Sequence, residues 1–270
     1  MAISLPKVHQ EVSILLKKIK PILIKYYSSP IKAKYKSSAQ FCTAIVTQAD
    51  LEIENIIKKT LNNKFPEIGF IGEETSLNEI KDYNWIVDPI DGTMNFAHKI
   101  PIFGTSIALW KNNQPVYGAI SLPMQKEIVH AFKGKGIFLN NKKITLKDKN
   151  GNKPKNKRFV LLATTAMGKD RLKYIRKILT VASYPRGYAS VVFQGVTVAL
   201  KRVDAFVIIN LALWDIGAVL PIAQEAGLHC QFVSPKPDIH DPDIRAYKHS
   251  LIIGEKTLVN QLIPKIKQVL

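Results

Sequence analysis

The chain has 270 residues, 46% of them hydrophobic and 22% charged, and a formal net charge of +18. This length holds one large core or two closely packed domains, and the balance excludes a disordered or fibrous class. Cys42 and Cys230 are far apart and in no metal-type spacing, which argues against a disulfide framework, and no apolar run reaches the length of a membrane span.

Met1 to Tyr27 carries Lys17, Lys18, Lys20 and Lys25 through its apolar pattern, so it lacks a signal-peptide core and a cytoplasmic enzyme is the default. Val8, Val12, Leu15, Leu16 and Ile19 give Leu5 to Tyr27 a helical period, with a kink or break expected at Pro21. Residues 28–42, rich in lysine and serine, read as a mobile polar loop. Thr47-Gln48-Ala49-Asp50 has the spacing of a capping box, and Ile53, Ile56, Ile57 and Leu61 continue one helical face. Gly69 to Gly72 is a short strand followed by Glu73-Glu74.

Trp85 to Val87 is a short apolar run that predicts a buried strand ending at Asp88. Pro89 lacks an N–H, so the backbone is expected to leave the sheet there. The turn that follows brings Asp88, Asp91 and the carbonyl of Ile90 to one point. Such hard oxygen donors suit magnesium. Gly92 permits close approach of a ligand, and Thr93 is placed to cap a helix whose N–H groups face an anion. The plainer alternative is a surface turn, since Asp-Pro and Asp-Gly are common turn formers.

Thr105 to Trp110, Val116 to Leu122, Glu127 to Phe132 and Ile137 to Leu139 follow as an antiparallel meander, separated by Asn112-Asn113, Gly134-Lys135-Gly136 and Asn140-Asn141. Lys142 to Arg158 reads as a solvated basic loop, with a domain boundary near residue 150. It divides an N-terminal α+β domain (1–150) holding most of the acids from a C-terminal α/β domain (151–270). Strand and helix then alternate: strand Phe159 to Ala163, helix Lys169 to Val181, helix Ala189 to Lys201, strand Ala205 to Ile209. A helix from Asp215 to Gly227, a strand Ser250 to Ile253 and a helix from Lys256 complete the chain. Acids thus recur where apolar segments stop, which is where open α/β sheets hold ligands. Asp50, Glu73, Glu74, Asp88, Asp91 and Asp215 would repel one another in a partly dry pocket unless divalent cations neutralised them.

Two long segments carry a resemblance. Trp85-Ile86-Val87-Asp88-Pro89-Ile90-Asp91-Gly92-Thr93, continuing to Asn95-Phe96, and Trp214-Asp215-Ile216-Gly217-Ala218, running on to Glu225-Ala226-Gly227, resemble the two motifs of the inositol monophosphatase family. That family consists of magnesium-dependent, lithium-sensitive phosphatases. The resemblance implies a layered α-β-α-β-α sandwich and a homodimer. It implies that Glu73, Asp88, the Ile90 carbonyl, Asp91 and Asp215 hold two Mg²⁺ ions. Asp50 would bear on a third ion, a role that stands beside its capping-box reading. Glu73 and Thr93, with Asp91, would position and deprotonate the attacking water, and the N–H groups of Gly92 and Thr93 would bind phosphate. Lys36 resembles a flexible-loop lysine of the family, and Gly187-Tyr188-Ala189-Ser190 falls at its substrate-contacting segment, where Tyr188 and Ser190 depart from the family pattern.

The implied activity is hydrolysis of a small phosphate monoester, inositol 1-phosphate first. Histidinol phosphate, fructose 1,6-bisphosphate and 3′-phosphoadenosine 5′-phosphate stand as alternatives. Ile208 sits seven residues before Asp215, where inositol-type members carry a glutamate, and it cannot accept a hydroxyl's hydrogen bond. Asn210 is the nearby substitute. A basic RNA-associated regulator on the same fold is the competing class, supported by charge alone. The lysines are spread along the chain, and the densest run, Lys142 to Arg158, has no interleaved aromatics, so specific nucleic-acid binding is not expected.

Overall fold

The computed structural model describes residues 3–30, 33–35, 45–75, 79–146, 154–166 and 168–270. Helix α1 (Leu5–Ser28) buries Val8, Val12, Leu15, Leu16, Ile19 and Leu23, the stripe its period dictates. It runs through Pro21 without a break, because buried Ile19 and Leu23 hold both sides of the proline against the core. Strand β1 (Ala33–Tyr35) pairs antiparallel with β2 (Ile45–Thr47), so the loop expected over 28–42 contains a strand. Lys36 and Cys42 lie outside the described residues. Helix α2 (Gln48–Lys64) starts at the expected capping box, where Asp50 accepts from the Thr47 N–H (2.8 Å) and its hydroxyl (2.5 Å).

Next come β3 (Gly69–Gly72), β4 (Tyr83–Asp91), the short helix α3 (Thr93–Ala97), β5 (Gly104–Lys111), β6 (Gln114–Leu122), β7 (Glu127–Phe132), β8 (Gly136–Leu139) and β9 (Lys142–Ile144). They form a seven-stranded sheet in that order, parallel between β3 and β4 and antiparallel beyond. Asn112, Asn140 and Asn141 take the left-handed conformation that hairpin turns favour in asparagine. Strand β9 replaces the start of the expected basic loop, since Ile144 pairs opposite Ile137. The boundary expected near 150 falls outside the described residues.

The second sheet is built from β10 (Phe159–Thr164), helix α4 (Gly168–Ile178), β11 (Tyr184–Arg186), helix α5 (Val191–Ala199), β12 (Ala205–Leu211), helices α6 (Leu213–Gly217) and α7 (Val219–Glu225), β13 (His229–Phe232), β14 (His249–Gly254) and helix α8 (Lys256–Lys267). Its order is β11-β10-β12-β14-β13, with β11, β10 and β12 parallel and β14 antiparallel to both neighbours. Strands β11 and β13 are additions to the sequence reading. The single helix expected over 215–227 is two. The break follows Gly217, whose carbonyl accepts from Trp110 Nε1 at 3.0 Å.

Strand alternation sorts the side chains into three cores. Trp85, Val87, Ile107 and Leu109 face α1 and α2, whereas Ile86, Ala108 and Trp110 point the other way. That second face meets α5, α6 and α7 through Val192, Val196, Ile216 and Ile222. The same helices pack against Leu161, Phe206, Ile208 and Leu251 of the second sheet. Val160, Val207 and Ile252 turn outward to α4 and α8. The result is the expected helix–sheet–helix–sheet–helix sandwich, its middle core shared by both halves of the chain.

Candidate active site

The acids gather at the end of β4. Pro89 does not end the strand: β4 continues to Asp91 through a register shift between Asp88 and Asp91. This bulge takes up the residue that cannot donate, while the Pro89 carbonyl accepts from Thr105 Oγ1 at 2.8 Å. Gly92 then adopts φ +83, and a Cβ there would lie 2.9 Å from the Ile102 carbonyl. Gly92, rather than Thr93, is the N-cap of α3. The Thr93 hydroxyl instead donates back to the Ile90 carbonyl at 3.0 Å and faces Asp50 Oδ1 at 3.5 Å.

One carboxylate oxygen from each of Asp88, Asp91 and Asp215 lies within 4.8 Å of the others. Asp215 reaches this point from α6, where Oδ2 accepts from the Ala212 N–H at 2.7 Å, so its helix-capping role and its place in the cluster coexist. Glu73 follows β3 and donates its N–H to the Val87 carbonyl at 3.2 Å, which sets it beside Asp88 in the sheet. Asp91 Oδ1 accepts from the Val191 N–H at 2.9 Å, and Oδ2 from the Val192 N–H at 3.2 Å and from the Ser190 hydroxyl.

Burial dominates the electrostatics. It pushes Asp88 well above the usual carboxylate range, with repulsion from Glu73, Asp91, Asp215 and Asp50 adding to it. Asp91 is pushed up to about 6 by burial against the opposing hydrogen bonds from Ser190, Val191 and Val192. Asp50 is pushed up to about 7 by burial against the Thr47 hydrogen bonds, with Glu73 and Glu74 repelling it. Among the described residues, Asp88 Oδ1 is a buried oxygen with no hydrogen-bond donor. Clustered hard oxygens, one of them lacking a donor, fit a small divalent cation, whose charge would remove the repulsion.

Ser190 is buried, with its hydroxyl turned to Asp91 and accepting from the Phe193 N–H at 3.2 Å as the N-cap of α5. Gly187 is exposed and Tyr188 half-buried on Phe193, at a ring separation of 5.4 Å. Ala189 takes φ 52, held by the Asn95 amide, which donates to the carbonyls of Tyr188 (2.7 Å) and Ala189 (3.3 Å). Ile208 is fully buried in the middle core, and the Asn210 side chain accepts from Ser250 Oγ at 3.3 Å. Sequence reasoning missed Glu54, fully buried on α2, which accepts from the N–H groups of Glu74 (2.9 Å) and Thr75 (2.7 Å). Its spacing of four from Asp50 was the available signal. Arg245, which donates to the carbonyls of the same loop, left no such signal.

A model of the inositol monophosphatase family matches residues 7–269. The chain is 30% identical over 266 residues to an inositol monophosphatase of Dictyostelium discoideum, spanning 92% of this chain and 90% of that one. It is 30% identical over 210 residues to Nus factor SuhB of Xylella fastidiosa, spanning 73% and 74% of the two chains. The solved structure of an IMPase from Thermotoga maritima superimposes with a TM-score of 0.78 at 26% identity, covering 97% of this chain and 99% of that one. With a family model over residues 7–269 and a relative 30% identical along nearly the whole length, the chain belongs to the inositol monophosphatase family, a family of phosphoric monoester hydrolases.

Proposed function

We infer that the protein is a Mg²⁺-dependent phosphatase that hydrolyses a small phosphate monoester. The convergence of Asp88, Asp91 and Asp215 within 4.8 Å carries this reading. Glu73, Asp88, Asp91, Asp215 and the Ile90 carbonyl would hold two Mg²⁺ ions, with Asp50 bearing on a third. Bound there, Mg²⁺ would acidify a water and stabilise charge on the departing oxygen. The chain's own groups do the rest. Glu73 orients the water, and Thr93 lies between the Ile90 carbonyl and Asp50, placed to pass a proton toward Asp50. The backbone N–H groups of Gly92 and Thr93 would receive the phosphoryl oxygens. Asp91, fixed by the first turn of α5, keeps one carboxylate oxygen in the cluster.

Inositol 1-phosphate is the first substrate we assign, with histidinol phosphate, fructose 1,6-bisphosphate and 3′-phosphoadenosine 5′-phosphate as alternatives. Buried Ile208 offers no hydroxyl acceptor, so selection among these esters falls to the exposed segment around Tyr188. The test is phosphate release from a panel of these esters with Mg²⁺, with and without Li⁺. Release that requires Mg²⁺ and falls with Li⁺ is expected, and no release above an Asp88→Asn control from any ester would overturn the reading. Sedimentation of the same protein tests the homodimer we assign it.

The +18 charge and the likeness to a protein named Nus factor favour a second reading, an RNA-associated regulator on this fold. Sequence-selective RNA affinity that survives added salt would support it, whereas purely salt-sensitive binding would not. No helix among the described residues is long and apolar enough to cross a membrane.

A further inference from the structure

Arg245 lies between β13 and β14, outside every motif singled out in the sequence. Its guanidinium donates from Nη1 to the carbonyls of Gly72 and Thr75 (2.6 Å to the latter) and from Nη2 to that of Glu73 at 2.7 Å. The same group lies over the Trp214 ring, 5.0 Å from its centroid. One side chain therefore joins two places: the loop after β3 that carries Glu73, and the first turn of α6 that carries Asp215. Three carbonyls turned to one point concentrate partial negative charge. A planar guanidinium with five donors answers all three at once, which a single ammonium cannot do in the same plane. Glu54 grips the same loop by its N–H groups at Glu74 and Thr75. The backbone is thus held by an acid on its amide side and by a base on its carbonyl side.

We propose that Arg245 is a positioning residue of the acid site, setting the placement of Glu73 relative to Asp215 and so the fit of the carboxylates to a divalent cation. It touches neither the cation nor the ester. Repulsion among the acids tends to spread them, and a loop tied at three carbonyls to a ring beside Asp215 resists that spreading. This role rests on the cation-binding reading given above.

The experiment is calorimetric titration of wild type, Arg245→Ala and Arg245→Lys with Mg²⁺, accompanied by amide hydrogen exchange across 72–75 in metal-free protein. Loss of a group that orients metal ligands typically weakens binding about 10-fold or more, the change expected in the apparent Mg²⁺ Kd of Arg245→Ala. Its Glu74 and Thr75 amides are expected to exchange faster while the far-UV circular dichroism stays unchanged. Arg245→Lys keeps the charge but not the span, so it too should bind Mg²⁺ more weakly than wild type, and it carries the comparison if the alanine variant folds poorly. Unchanged Mg²⁺ affinity in the folded variants would overturn the role of Arg245 and leave the phosphatase reading standing. A wild type that takes up no Mg²⁺ would overturn both.

Discussion

The Ser190 hydroxyl donates to Oδ2 of Asp91 across 99 positions of sequence, fastening the first turn of α5 to the end of β4. Ser190 also caps α5, and Asp91 accepts the Val191 and Val192 N–H groups, so an acid from the first half of the chain completes a helix of the second.

Ser190→Ala removes the cap and one donor to Asp91. Its unfolding free energy in urea is expected to fall by about 1–2 kcal/mol. Mg²⁺-dependent phosphate release should fall with it, because Asp91 loses part of its orientation. Asp91→Asn should abolish that release while the protein still folds. Near-normal turnover in this variant would remove Asp91 from the machinery.

Asp88→Asn tests the cation from the stability side. Carboxyls whose folded pKa is raised add stability below the ordinary value of 3.8 and lose it as pH climbs through the folded value, about 6 for Asp91 and about 7 for Asp50. Asp88 is shifted in the same direction. In chelator, therefore, Asp88→Asn should gain on wild type as pH rises above 3.8. In wild type, Mg²⁺ at 100 times its Kd should add about 2.7 kcal/mol. The variant should show little of that gain, as read by thermal melts with and without the ion.

The stacked pair His9–His130, with ring centroids 3.8 Å apart, gives the opposite slope. Burial, with His9 adding to it, pushes His130 down to about 3, from an ordinary 6.5. A depressed histidine contributes stability above 6.5 and loses it as pH falls toward 3, because only the unfolded chain takes up the proton. His130→Phe, set against Phe138 at the same stack, should gain on wild type as pH drops below 6.5. Urea midpoints at a series of pH values check this, and a parallel decline of both proteins would contradict it.

Glu54→Gln keeps one acceptor for the loop after β3 and turns an NH₂ against the second N–H. Losing a hydrogen bond to a buried charge costs about 1.5–3 kcal/mol. Phosphate release should drop as well, through the displaced Glu73.

The sandwich was legible because its strands are apolar runs and its helices are 3.6-residue stripes, as in Trp85 to Val87 and Val8 to Ile19. Acids at strand ends, such as Glu73 and Asp88, were legible for the same reason. What escaped depends on partners remote in sequence. Pro89 stays in the sheet because a bulge absorbs it, Gly217 ends a helix because Trp110 takes its carbonyl, and Arg245 belongs to the site only through folded backbone. Thr93 lost the capping role because Gly92 alone tolerates the left-handed turn between Ile102 and Ser190.

Helices α5, α6 and α7 are pressed by one sheet on each side and share a single apolar interior with both. A wall common to two rooms cannot be removed with one of them, so a polypeptide cut near residue 150 should yield two insoluble pieces rather than two domains. On the proposed phosphatase reading, selection of the ester must then come from segments at the rim, since swinging the halves apart would expose that interior to water.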